Sequence, residues 1–205
     1  MNTVEDQTKK AALLAGSLLG VDSSQLSLED ITPSFSWAKR HKIYWALKQR
    51  DRRSVVVIFG PNDSPFVTTS QSGLSLLSLI LVDELGTIPD GLGASELAAA
   101  VRRLTLSPQG LVGSPEMLKP AFPPLEAWIR SQGIPADQQT KLIRQNMASP
   151  VLQIDPKTKK WSLDFSYFNE RGGIEGWHLE GNDREISSSK LRSIAADETL
   201  NWPFE

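Results

Sequence analysis

The chain predicts an α+β fold with a largely antiparallel sheet, made of an N-terminal three-strand meander and a C-terminal hairpin, with segregated helices. Three observations carry this. Strand-like apolar patterns cluster between residues 42 and 70 and return beyond residue 150. Helical periods fall at the N-terminus and in the middle of the chain. A matched pair of alternating runs flanks a glycine-bearing turn near residue 171.

The first element is an amphipathic helix, with Thr3 as its cap and Gly20 as its stop. Lys9-Lys10 before "AALLAGSLLGV" is the pattern of a short leader, but Glu5 and Asp6 stand where a leader wants positive charge. "SSQLSLEDITPS" reads as a connector. "KIYWALKQ" then places Ile43, Trp45 and Leu47 on one strand face. "SVVVIFG" has five consecutive apolar residues, Val55 to Phe59, which suits a central strand covered on both sides. "GPNDSP" is a turn, and "FVTTS" is the third strand.

Residues 72–85 form an apolar helix, too short to span a bilayer, which takes about 20 such residues. A second helix is expected over 95–106, capped by Ser95. "SPQGLVGSPEMLKPAFPP", residues 107–124, holds five prolines and two glycines and reads as a long loop. Helices are expected near 124–132 and 136–147, divided by Gly133-Ile134-Pro135. The last 55 residues offer little core of their own, so residues 1–205 are expected to be one domain. The order helix, three strands, helix, two strands is similar to that of small α+β secretion chaperones. That likeness is one of topology with no shared motif, and it implies partner binding.

In the hairpin, Trp161, Leu163, Phe165 and Tyr167 share a face. A loop of Glu170-Arg171-Gly172 pairs residues whose numbers sum to 342. Phe165 then faces Trp177, and Leu163 faces Leu179. His178 falls opposite Asp164, beside Glu180, on the more solvated face. This polar cluster is read as a surface pair, because it lacks a nucleophile and a concave setting.

The 40 % hydrophobic and 22 % charged fractions are those of an ordinary globular chain. A net charge of −2 gives no general attraction to nucleic acid or anionic membrane. The absence of cysteine removes disulfides, thiolate nucleophiles and thiolate metal sites, and fits a reducing, cytoplasmic setting. No phosphate-loop, dinucleotide or nucleophile-elbow pattern occurs. With two histidines, a hydrolase would use His41 or His178, and nothing in the sequence brings either to a serine. Asp83-Glu84 and Glu29-Asp30 are expected simply to face water. No catalytic residue, metal or cofactor is assigned.

One stretch is uneven in charge. Seven of the 22 lysines and arginines lie between Lys39 and Arg53, with aromatics interleaved. Trp37, Lys39, Arg40, Lys42, Tyr44, Arg50, Arg52 and Arg53 would be the contacts of a single-stranded nucleic-acid site. The leading expectation is nonetheless a non-enzymatic module that binds another protein or itself, without a membrane. The C-terminal "LNWPFE", with Leu200, Trp202 and Phe204 at alternate positions, is a candidate contact segment. Nucleic-acid binding through residues 37–53 is second, and a hydrolase is third.

Overall fold

The computed structural model describes residues 3–48, 53–68, 73–89, 91–106, 111–112, 147–168 and 174–195. Among them the chain forms an α+β fold with two antiparallel sheets and three α-helices.

Helix α1 (Thr3–Leu19) precedes a four-strand meander of β1 (Leu26–Asp30), β2 (Lys42–Lys48), β3 (Ser54–Phe59) and β4 (Pro65–Thr68), in that spatial order. The expected three-strand meander thus gains a strand. The connector "SSQLSLEDITPS" supplies it, because "LSLED" pairs with β2 from Leu26↔Lys48 to Asp30↔Tyr44. That edge strand buries Leu26 and leaves Ser27, Glu29 and Asp30 less covered, so its composition resembles a loop.

Helix α1 ends where Gly20 takes φ of +65° and the Val21 amide reaches back to the Gly16 carbonyl. This closing bond is the Schellman pattern. Gly16 is needed as well, since a Cβ there would lie 2.8 Å from the Val21 carbonyl oxygen. Ala11, Ala15 and Leu19, at helical spacing, then pack on Tyr44, Ala46, Val57 and Phe59. Small residues on the helix let it approach the sheet closely.

The other face of the same sheet carries Ile43, Val56 and Ile58 into a larger core. That core also receives Leu77, Ile80 and Leu81 of α2 (Gly73–Leu85) and Leu97, Ala98 and Val101 of α3 (Ala94–Val101). Trp161, Leu163, Phe165, Tyr167 and Leu179 reach it from the second sheet. Helix α3 is capped by Gly93, whose amide donates to the Glu96 carboxylate at 3.2 Å, not by Ser95 as expected. Its last turn widens to a π-type turn over Arg102–Leu106. Gly73 of α2 sits against Thr105 of this turn, where a Cβ would come within 2.9 Å.

The second sheet contains β5 (Leu111–Val112), β6 (Val151–Ile154), β7 (Trp161–Phe168), β8 (Ile174–Gly181) and β9 (Ile186–Ala195). Strands β5 and β6 both pair with β7, and β7, β8 and β9 run side by side. The two-residue β5 lies within the 107–124 segment expected to be entirely loop. The register of β7 and β8 sums to 342 at every pair, with Phe165 opposite Trp177 and Asp164 opposite His178. The connecting Glu170-Arg171-Gly172, the expected helices before Met147 and the C-terminal "LNWPFE" lie outside the described residues. Ser78 joins α2 to β9, donating to the Leu74 carbonyl and accepting the Ile186 amide.

The α1 interface yields a paired prediction. Ala15 is fully buried, whereas Leu13 on the same helix is 65 % exposed. Ala15→Leu should cost about 1–3 kcal/mol by overpacking, and Leu13→Ser should change stability by less than about 0.5 kcal/mol. Urea denaturation of both variants checks this.

Candidate functional site

The first sheet and α2 enclose a cleft of 340 Å³. Its walls come from the start of β2 (Arg40, His41), the β3–β4 turn (Gly60, Pro61, Asn62, Ser64), Phe66 of β4, and Leu76, Leu79, Ile80 and Asp83 of α2. The turn is tied to α1. Asp63 adopts φ of 56°, and its carboxylate accepts Gln7 Nε2 at 2.9 Å and Lys10 Nζ at 2.6 Å from α1.

Beside the cleft, one carboxylate organises the chain entering β2. Glu84 accepts the backbone amides of Lys39 (3.0 Å), Arg40 (2.8 Å) and His41 (2.8 Å). His41 Nδ1 lies 2.8 Å from Glu84 Oε1. The Glu84 side chain is 1 % exposed and that of His41 5 %. Burial pushes the Glu84 carboxyl up, but the hydrogen bonds from His41 and the three amides outweigh it and hold the group below its ordinary value. The expectation that Asp83-Glu84 faces water is therefore corrected. Asp83 does face water and binds Arg40 Nη1 at 2.9 Å, whereas Glu84 is interior. A signal for this lies in the sequence. Leu77, Leu81 and Glu84 fall on one helical stripe, so the buried face of α2 runs on into the acid.

The basic stretch is divided by the fold. Lys39, Arg40 and Lys42 are exposed, as is Arg53, while Arg50 and Arg52 lie outside the described residues. Trp37 and Tyr44 are buried on opposite sides of the first sheet. Trp37 packs with Phe35, and Tyr44 meets Phe59 edge-on. Both are thus corrected from stacking platforms to core residues. A base needs an open aromatic face, and neither ring offers one.

The Asp164, His178 and Glu180 cluster forms across the β7–β8 ladder. His178 Nδ1 lies 2.8 Å from Asp164 Oδ1, and Nε2 lies 3.4 Å from Glu180 Oε1. A hollow of 560 Å³ beside it, bounded by Asp155, Lys160, Ser162 and Asn182, takes in Glu180 but neither Asp164 nor His178. The described residues contain no group of three or more side chains suited to hold a metal ion. Neither histidine is hydrogen-bonded to a serine among the described residues. No helix among the described residues is long and apolar enough to cross a membrane.

No protein-family profile, curated protein or solved structure matches this chain.

Two predictions come from these clusters. Glu84→Gln keeps the shape but removes the charge, and should cost about 1.5–3 kcal/mol at pH 7 by urea denaturation. The folded carboxyl titrates below its ordinary 4.5, so its contribution is present above that pH and lost as pH falls through the folded value. The gap between wild type and variant should therefore narrow in acid. For His178, the Asp164 hydrogen bond raises the imidazole above its ordinary 6.5, against a smaller opposing effect of burial. Its contribution to stability is present below pH 6.5 and is lost as pH rises through the folded value. Asp164→Asn should bring the His178 titration, followed by NMR, back towards 6.5.

Proposed function

We propose that the protein is a binding module that holds a segment of another protein, or of a second copy of itself, in the cleft between α2 and the β3–β4 turn. One observation carries this reading. Phe66, 40 % exposed, and Leu79, 68 % exposed, both stand at that cleft, joined there by Leu76 and Ile80. Large apolar side chains gathered at a concavity mark contact surfaces more often than they serve stability. The walls are fixed by the Glu84 and Asp63 hydrogen bonds, so binding here would cost little ordering. A cytoplasmic setting belongs to the same reading, supported by the cysteine-free composition.

A hydrolase is the second reading. What favours it is the Glu84-oriented imidazole of His41 beside a cleft, an arrangement that general bases use. Hydrolysis of an activated ester that disappears in His41→Gln while the fold persists would place it first. The nucleic-acid reading retains exposed Lys39, Arg40, Lys42 and Arg53 but has lost its stacking residues.

The binding reading is tested with a photo-crosslinking amino acid in place of Leu79, combined with sedimentation velocity. A discrete adduct, or a dimer, is expected with the wild-type cleft. Phe66→Ser should abolish either one while circular dichroism shows the fold retained. A monomer that forms no adduct refutes the proposal.

A further inference from the structure

The outer strand edges of the two sheets differ in how far they discourage a further strand. On β4 the Gly60 amide donates to the Ser64 carbonyl, so the alternating ladder turns Pro65 and Val67 outward. Pro65 has no N–H to offer there. Strand β1 ends in Glu29 and Asp30, and β9 contains Lys190 and Arg192. Charges of this kind blunt an edge. Strand β6 lacks both devices within its span. Val151-Leu152-Gln153-Ile154 is uncharged, and Val151 and Ile154 are each 50 % exposed. Among the described residues β6 pairs with β7 and with no other strand.

The ladder decides which backbone groups are left over. The Asp155 amide donates to the Lys160 carbonyl at 2.8 Å, and pairing continues through Gln153↔Ser162 and Val151↔Asp164. Antiparallel bonding alternates, so Val151 and Gln153 direct their N–H and C=O to β7, whereas Leu152 and Ile154 direct theirs outward. Outward ladder groups call for an extended strand, since only a strand matches their spacing. Pro150 and Pro156 occupy the next outward positions on either side and have no N–H. They therefore select the register. With Leu152 opposite the partner's Ile154, and Ile154 opposite the partner's Leu152, both residues pair through donor and acceptor alike. A shift of two residues either way sets one of them against a proline. A second β6 is thus its own complement, as a two-fold interface requires. Gln153 then faces the partner's Gln153, and Asp155 faces the partner's Val151, so no like charges meet.

We propose that two copies of this chain join antiparallel through β6, so that the second sheet continues across a two-fold axis at Gln153. This surface is separate from the cleft, and the inference does not rest on the cleft reading.

The test uses the full chain in sedimentation velocity over a concentration series, with circular dichroism to follow the fold. The wild-type chain should form a dimer. Ile154→Pro removes an outward donor at a half-exposed edge position, where a monomer tolerates proline. It should weaken the dimer about tenfold or more, because each dimer loses two of its four ladder bonds. Gln153→Cys supplies the chain's sole thiol, since the sequence has no cysteine. Mild oxidation should join two such chains, as directly opposed residues of an antiparallel pair meet disulfide geometry. Val151→Cys should not cross-link, because two copies of that position stand about 13 Å apart in this register. The two cysteine variants decide the matter even if Ile154→Pro fails to fold. A wild-type chain that stays monomeric overturns the proposal, as does a dimer indifferent to a folded Ile154→Pro. Equal cross-linking by both cysteine variants also overturns it. A dimer lost in Phe66→Ser but kept in Ile154→Pro overturns it and leaves the cleft reading standing. Association through the cleft is accordingly read in the Ile154→Pro chain, where this seam is weakened.

Discussion

The double-sided burial of β2 and β3 is the constraint on which the rest of the architecture depends. Tyr44, Ala46, Val57 and Phe59 point one way, and Ile43, Val56 and Ile58 the other. A sheet with both faces apolar needs a cover on each side, because exposed apolar area costs roughly 25 cal/mol per Å². Helix α1 supplies one cover with alanines at its closest approach. Helices α2 and α3 and the inner face of the second sheet share the core on the other side. The cleft lies at a margin of this arrangement, where α2 leaves the sheet and the β3–β4 turn curls over.

Several polar groups within this apolar setting are satisfied by convergence. Glu84 gathers three successive amides and an imidazole, so a segment with no helix or ladder of its own still has its donors paired. Ser78 does the same for the Ile186 amide, and the Asn182 carbonyl for the Trp161 indole. Such contacts hold irregular chain in one position, and here they fix the His41 side of the cleft. The Asp164–His178 pair differs in kind. It lies on a solvated ladder face, where an ion pair is screened and contributes little to stability.

Much of the fold was legible because apolar periodicity reports burial directly. The Val55–Phe59 run announced a strand with two covered faces, and Gly20 announced the end of an amphipathic first helix. The β7–β8 register followed from a single condition, that Leu163 and Phe165 share a buried side with Leu179 and Trp177. Strand β1 escaped notice because an edge strand buries one side of few residues, and "LSLED" carries more polar than apolar side chains. The site was less legible. The stripe through Leu77 and Leu81 reaches Glu84, yet an acid beside an acid at a helix end looks like a solvated pair.

The sequence by itself therefore determined the α+β class, the two-faced strand β3 and the pairing of the hairpin. These depend on local period and on turn chemistry, which a chain carries within windows of a few residues. Only the tertiary structure decided that Glu84 is interior, that Trp37 and Tyr44 are core residues, and that His41 and Asp83 share a cleft with Phe66 and Leu79. His41 and Glu84 are separated by 43 positions, and the meeting of such residues depends on how whole elements pack. Periodicity names the face a side chain occupies, while packing alone names what that face will meet.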